Sequence, residues 1–111
     1  MYTQRRMALK RQLPSTLTTE QWNIIKEAFN NKCCYCNLEK PLTQDHFLAL
    51  NNGGPYVADN ILPACKSCNS SKRDKQFFTW YPKYKHYSSE REQKILAYLG
   101  YIKGIQQLSL M

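Results

Sequence analysis

Cys33-x-x-Cys36 and Cys65-x-x-Cys68 limit what this chain can fold into more than any other feature of it. A two-residue spacer lets one tight turn aim two sulfurs at a common point. Two such turns, with residues 37–64 between them, offer the four thiolates of a tetrahedral zinc site. At 111 residues the chain reads as a single domain with a thin core, and a zinc joining two distant turns closes a loop that such a core could not hold. Four thiolates leave no open coordination position, so the zinc is read as structural and any catalysis lies elsewhere. The fifth cysteine, Cys34, is read as a packed thiol, because substituting it for Cys33 gives the less common C-x-C turn. The competing reading is a redox dithiol. It requires a thioredoxin-like pattern around one pair and leaves the other pair idle.

Sixteen Lys and Arg against eight Asp and Glu give a formal charge of +8. The excess sits in residues 1–17, at Arg5, Arg6, Lys10 and Arg11, and in a second group at Lys66, Lys72, Arg73, Lys75, Lys83 and Lys85. This distribution points to a polyanionic partner, with nucleic acid first. No run approaches the ~20 apolar residues of a bilayer span, so no membrane partner is expected. Met1 to Met7 shows no apolar signal-peptide segment, and a cytoplasmic address is the expectation.

The pattern predicts a basic arm over 1–17 and one domain over 18–111. Thr18-Thr19-Glu20-Gln21 has the form of a capping box, and Trp22, Ile25 and Phe29 repeat at helical spacing, which predicts a helix over about 19–30. Leu42 to Leu50 reads as extended, 51–55 as a loop, and Val57 to Ala64 as a partly extended return carrying Asn60. A basic helix is predicted to start at Asn69 and run through Gln76 without a breaker. Phe77 to Pro82 is an aromatic patch, read as core. Ser89 and Glu92 suggest a second capping box, opening a last helix to about 103. The expected class is α+β: a small zinc-stapled ββα core over about 33–76, flanked by N-terminal and C-terminal helices.

Four residues between and beside the knuckles suggest chemistry. Asp45 and Asn69 offer hard oxygen donors suited to Mg2+ or Mn2+. His46 is placed to take a proton from water, and an imidazole near its ordinary pKa is a competent base at neutral pH. Asn60 would bridge backbone groups across the 51–55 loop and hold the His46 strand in shape. Lys72 or Arg73 would hold a phosphate. The scheme implied is in-line attack of water on a phosphodiester, with a metal neutralising the charge that develops. His86 has no such company and is read as a surface residue.

Together these residues resemble the HNH endonucleases, whose fold is the ββα-metal finger. The resemblance covers about 33–72 and rests on Cys33-Cys34-Tyr35-Cys36, Asp45-His46, Gly53-Gly54, Asn60-Ile61-Leu62 and Cys65-Lys66-Ser67-Cys68-Asn69-Ser70-Ser71-Lys72. It implies a metal-dependent DNA endonuclease. Asp45 and Asn69 become the catalytic-metal ligands, His46 the general base, Asn60 the middle Asn, and Cys33, Cys36, Cys65 and Cys68 the structural zinc site. Many members carry a final histidine where this chain has Asn69, which makes it an H-N-N variant and favours Mg2+ or Mn2+ while leaving Ni2+ open. The flanks resemble those of small phage-type or mobile-element members. Lys66, Lys72, Arg73, Lys75, Arg5 and Arg6 are the expected contacts to DNA, most simply double-stranded, by a monomer or a homodimer. The rival reading is a noncatalytic zinc-stapled DNA-binding module, and a third is an RNA-processing nuclease with the same site.

Overall fold

A computed structural model describes residues 16–49 and 53–101. Helix α1, Thr19–Ala28, opens with the capping box read from the sequence: Gln21 N–H donates to Thr18 Oγ1 at 3.1 Å, and Thr18 N–H donates to Gln21 Oε1 at 2.9 Å. It ends two residues earlier than predicted. Asn30 and Asn31 take φ of 58° and 57°, a left-handed pair that asparagine tolerates and a helix cannot include, and the chain turns there into the first knuckle.

Strands β1, Leu42–His46, and β2, Ile61–Cys65, pair antiparallel from Leu42↔Cys65 to His46↔Ile61. Side chains alternate across a strand, so this register puts His46, Gln44, Ile61 and Pro63 on one face and Asp45, Thr43, Leu62 and Ala64 on the other. The first strand is shorter than the extended run predicted, and Leu50 lies outside the described residues. Asn60 is not on the return strand: it closes a 3-10 turn, Ala58–Asn60, immediately before β2. The Gly53-Gly54 pair is required sterically. Gly53 has φ +86°, and a Cβ on Gly54 would collide with the Leu48 carbonyl oxygen.

Helix α2, Lys66–Lys72, starts three residues before the predicted Asn69, with Cys65 as its N-cap, so Asn69 sits mid-helix. Arg73, at φ 52°, ends it well short of Gln76. A short α3, Phe77–Trp80, runs into a 3-10 turn, Tyr81–Lys83. Helix α4, Ser89–Tyr98, is capped by Ser88 rather than Ser89, Ser88 Oγ accepting from Arg91 N–H at 3.3 Å. It stops at Tyr98, short of the predicted 103, because Leu99 is its C-cap and Gly100 takes φ 85°.

Two apolar clusters lie on the two faces of the hairpin. The larger gathers the knuckles, Leu62, Ala64 and Phe47 with Phe77, Trp80, Tyr81, Ile95 and Leu96. Tyr35 lies within it, edge-on to Trp80 at 4.9 Å, so the predicted aromatic patch packs on the first knuckle. The smaller cluster holds Trp22 and Ile25 of α1 with Tyr56, Ile61 and Leu17. Leu17 is fully buried, and Thr16 N–H and Leu17 N–H both donate to Tyr56 O, so the packed domain already includes the last residues assigned to the arm. Residues 1–15, with Arg5 and Arg6, lie outside the described residues. None of the described helices is long and apolar enough to cross a membrane.

Candidate active site

The four knuckle sulfurs of Cys33, Cys36, Cys65 and Cys68 lie within 4.8 Å of one another, and Cys36 Sγ is 3.9 Å from Cys65 Sγ. A regular tetrahedron of bonds near 2.3 Å sets sulfurs about 3.8 Å apart, so the cluster fits a metal such as zinc. The Cys68 thiol, helped by hydrogen bonds from the main chain of Cys65, Cys36 and Tyr35, holds Cys33 down to about 4 against its burial, while the same contact pushes Cys68 up. Tyr84 O–H donates to Cys68 Sγ at 3.1 Å, the kind of outer contact that orients a thiolate ligand. Cys34 stands outside the four. Burial pushes its thiol well above the ordinary value, and it stays a packed neutral group.

One strand position decides the rest. Asp45, 2% exposed, faces the knuckle side, where the Tyr35 hydroxyl donates to Oδ2 and Lys72 Nζ lies 3.5 Å from Oδ1. Burial pushes the Tyr35 phenol far above its usual value, so it keeps its proton and acts as donor. Burial also raises Asp45 to about 6, against the pull of Lys72. Lys72 is 0% exposed and donates to His46 O at 2.8 Å, joining α2 to the main chain of β1. This corrects the phosphate contact expected of Lys72: its ammonium is inside the protein. Cys68 and Lys72 are four apart on one helix, which puts the lysine on the same buried face as a knuckle sulfur, and that spacing was the available signal. Lys66, Arg73 and Lys75 are exposed.

Asn69 reaches the main chain and Thr43 side chain of β1. Its Nδ2 donates to Thr43 Oγ1 at 2.9 Å and to Gln44 O at 3.3 Å, leaving Oδ1 as the atom open to a cation. Asp45 Oδ1 has the long Lys72 contact. A carboxylate and an amide oxygen are the hard donor types suited to Mg2+ or Mn2+, but both Asp45 oxygens already have protein partners.

His46 faces the smaller cluster, beside Tyr56 at 6.0 Å between ring centroids. It is 6% exposed, and Nε2 has no hydrogen-bond partner among the described residues. Burial, then the Lys72 charge, pulls its pKa down to about 4, so the ring is neutral at physiological pH. Asn60 ties together the end of β1 and both sides of the loop. Its Oδ1 accepts from Leu48 N–H at 2.8 Å, and its Nδ2 donates to Leu48 O at 3.0 Å and to Pro55 O at 2.9 Å. Phe47 N–H adds a bond to Asn60 O at 2.8 Å. Tyr35, which carries the Asp45 contact, has no such role in the sequence reading.

A hairpin and helix around a four-cysteine centre, with an Asp-His pair at the strand end, define the ββα-metal class. Residues 33–75 match the family model described as HNH endonuclease. It is also 38% identical over 106 residues to the "SPbeta prophage-derived putative HNH endonuclease YoqL" of Bacillus subtilis (strain 168). That alignment takes in 82% of this chain and 45% of the relative, so the chain spans about half of the relative's length. No solved structure matches the chain.

Proposed function

We propose that this domain hydrolyses phosphodiester bonds in DNA, with a zinc ion on the four cysteines as its structural staple. The observation that carries the reading is the state of His46: neutral, buried at a strand end, with an uncommitted Nε2. A base must keep its lone pair uncommitted, as this imidazole does; burial, which lowers it to about 4, makes it a weaker base than the near-ordinary imidazole expected from the sequence.

In this mechanism His46 Nε2 takes a proton from a water, the water oxygen forms a bond to phosphorus, and the bond to the departing 3′ oxygen breaks. The departing oxygen then takes a proton from solvent. Mg2+ or Mn2+ held by Asp45 and Asn69 Oδ1 would neutralise charge on the phosphate and on the departing oxygen. Adjacent strand residues face opposite ways, so His46 serves one side of the β1 end and Asp45 the other. Lys72 is a positioning residue, tying Asp45 and the His46 carbonyl to α2. Asn60 keeps the strand end from shifting when substrate binds. Exposed Lys66, Arg73 and Lys75 supply phosphate contacts. The prophage origin in the relative's name supports a place among nucleases of phage or other mobile elements.

The test is incubation of supercoiled plasmid with the purified protein alone and with added Mg2+, Mn2+ or Ni2+. Conversion to nicked or linear plasmid only with added metal is expected. Binding without conversion under every metal contradicts the reading and favours a noncatalytic DNA-binding module.

A further inference from the structure

Directly after His46 the chain enters a surface of which the hydrolytic scheme uses only Lys75. Phe47, Leu48, Ala49, Lys75, Phe78 and Tyr101 line a groove of about 240 Å³. Phe47 is buried, whereas Phe78 is 53% and Tyr101 56% exposed. The Phe47 ring is 5.8 Å from Phe78 and 5.0 Å from Tyr101. Phe78 and Tyr101 stand 6.1 Å apart at 68°, which leaves no parallel slot between them and presents their outer faces instead. The groove falls below the roughly 300–1,000 Å³ that encloses a drug-sized ligand, and suits one flat ring system.

Lys75 also borders a second, open groove of about 500 Å³, where Lys83 and Lys85 join it. Lys75 therefore belongs to both grooves and shares the second with two further lysines, in a chain of charge +8. A positive track beside exposed rings is the pattern that holds a single nucleic-acid strand, phosphates on the lysines and a base on the ring. The groove adjoins the end of β1 in sequence. Leu48 is two residues from His46, at most about 7 Å of chain, while stacked nucleotides are spaced about 3.4 Å along a strand. Bases inside a duplex are already stacked on each other, so the platform is open only to an unpaired one.

We propose that Phe78 and Tyr101, over Phe47 and beside Lys75, form a stacking subsite for an unpaired nucleobase next to the scissile phosphate, with Lys75, Lys83 and Lys85 carrying the adjoining backbone. The inference rests on the nuclease reading and narrows it: the preferred substrate is DNA with a single-stranded segment at the cleavage point, such as a tail or a gap.

The experiment compares two oligonucleotide probes, a blunt duplex and the same duplex with a single-stranded tail carrying 2-aminopurine. Anisotropy and 2-aminopurine fluorescence are read with the zinc-loaded protein at fixed salt and without added Mg2+ or Mn2+. The tailed probe is expected to bind about tenfold more tightly, with quenching of the fluorescent base. Phe78→Ala and Tyr101→Ala should each reduce that preference and the quenching while affinity for the blunt duplex is retained, and Phe78→Trp should restore both. An abasic tail should bind like the blunt duplex. Equal affinity for both probes, or a preference that survives Phe78→Ala and Tyr101→Ala together, overturns the inference, whatever else fills the groove. The same preparations are assayed on plasmid with metal: cleavage without tail preference removes the subsite alone, whereas absence of cleavage removes the nuclease reading.

Discussion

On the knuckle side of the hairpin, Asp45 gives each carboxylate oxygen a partner, Thr43 Oγ1 donates to Ala64 O at 2.7 Å, and four cysteines crowd one centre. On the other side, against Leu17, Trp22, Ile25 and Tyr56, the neutral His46 ring keeps Nε2 without a partner among the described residues. The two sides share ten strand residues and one register, so the difference comes from what each packs against. Satisfied groups fix the position of β1, while on the other side a buried polar atom is left without a partner among the described residues, a rare condition in a folded protein.

The largest break in this contrast is removal of the metal centre. Zinc contributes on the order of 10 kcal/mol to folding in small zinc domains, comparable with the whole stability of an ordinary domain. Cys68→Ser should therefore lose bound zinc and cooperative thermal unfolding together, read by elemental analysis and circular dichroism. Unchanged zinc content would contradict the four-cysteine centre.

Next comes the ion pair. Lys72→Met leaves a buried carboxylate without its cation and should lower stability by about 3–5 kcal/mol in denaturant titration. Adding Asp45→Asn should return part of that loss, because the uncompensated charge is gone. A loss below ~1 kcal/mol from Lys72→Met would mean that the pair does not hold the saturated side together.

A smaller effect separates the two sides by pH. Asp45 is raised from 3.8 to about 6, so between those values the folded chain holds a proton that the unfolded chain has released, and the Asp45 contribution falls as pH rises. His46 is lowered from 6.5 to about 4, so over nearly the same window the unfolded chain holds the extra proton, and the His46 contribution rises with pH. The two slopes oppose each other in the wild type. His46→Ala should expose the Asp45 slope: from pH 4 to 6 its stability relative to wild type should fall, by on the order of 2 kcal/mol. A difference that stays flat or rises would contradict the burial of His46 as a neutral ring. The smallest effect is at Cys34, where Ala should cost about 1 kcal/mol and leave zinc content unchanged.

Much of the fold and site is legible where local chemistry decides. The Thr18–Gln21 box, the two knuckles and the Asp45-His46 pair are short-range patterns, and each appears in the structure at the expected residues. The helix after the second knuckle reads too late in the sequence because Asn69 and Ser70 are good capping residues in isolation, whereas Cys65 supplies the extended N-cap and brings the start forward to Lys66. Arg73 ends that helix at a positive φ that no arginine advertises. The inward turn of Lys72 depends on Asp45, 27 residues away, and the aromatic groove depends on Tyr101 meeting Phe47. Both come from long-range packing, which a local reading does not reach. The packed state of Leu17 is of the same kind, since its partners Tyr56 and Ile61 lie far along the chain.

The most direct test of the central claim is the rate of metal-dependent cleavage by His46→Ala beside the wild type, with zinc content and melting measured on the same samples. The expected result is a loss of about 10²- to 10⁴-fold in turnover with zinc retained and DNA still bound. Cleavage at close to the wild-type rate by a folded, zinc-loaded His46→Ala would contradict it.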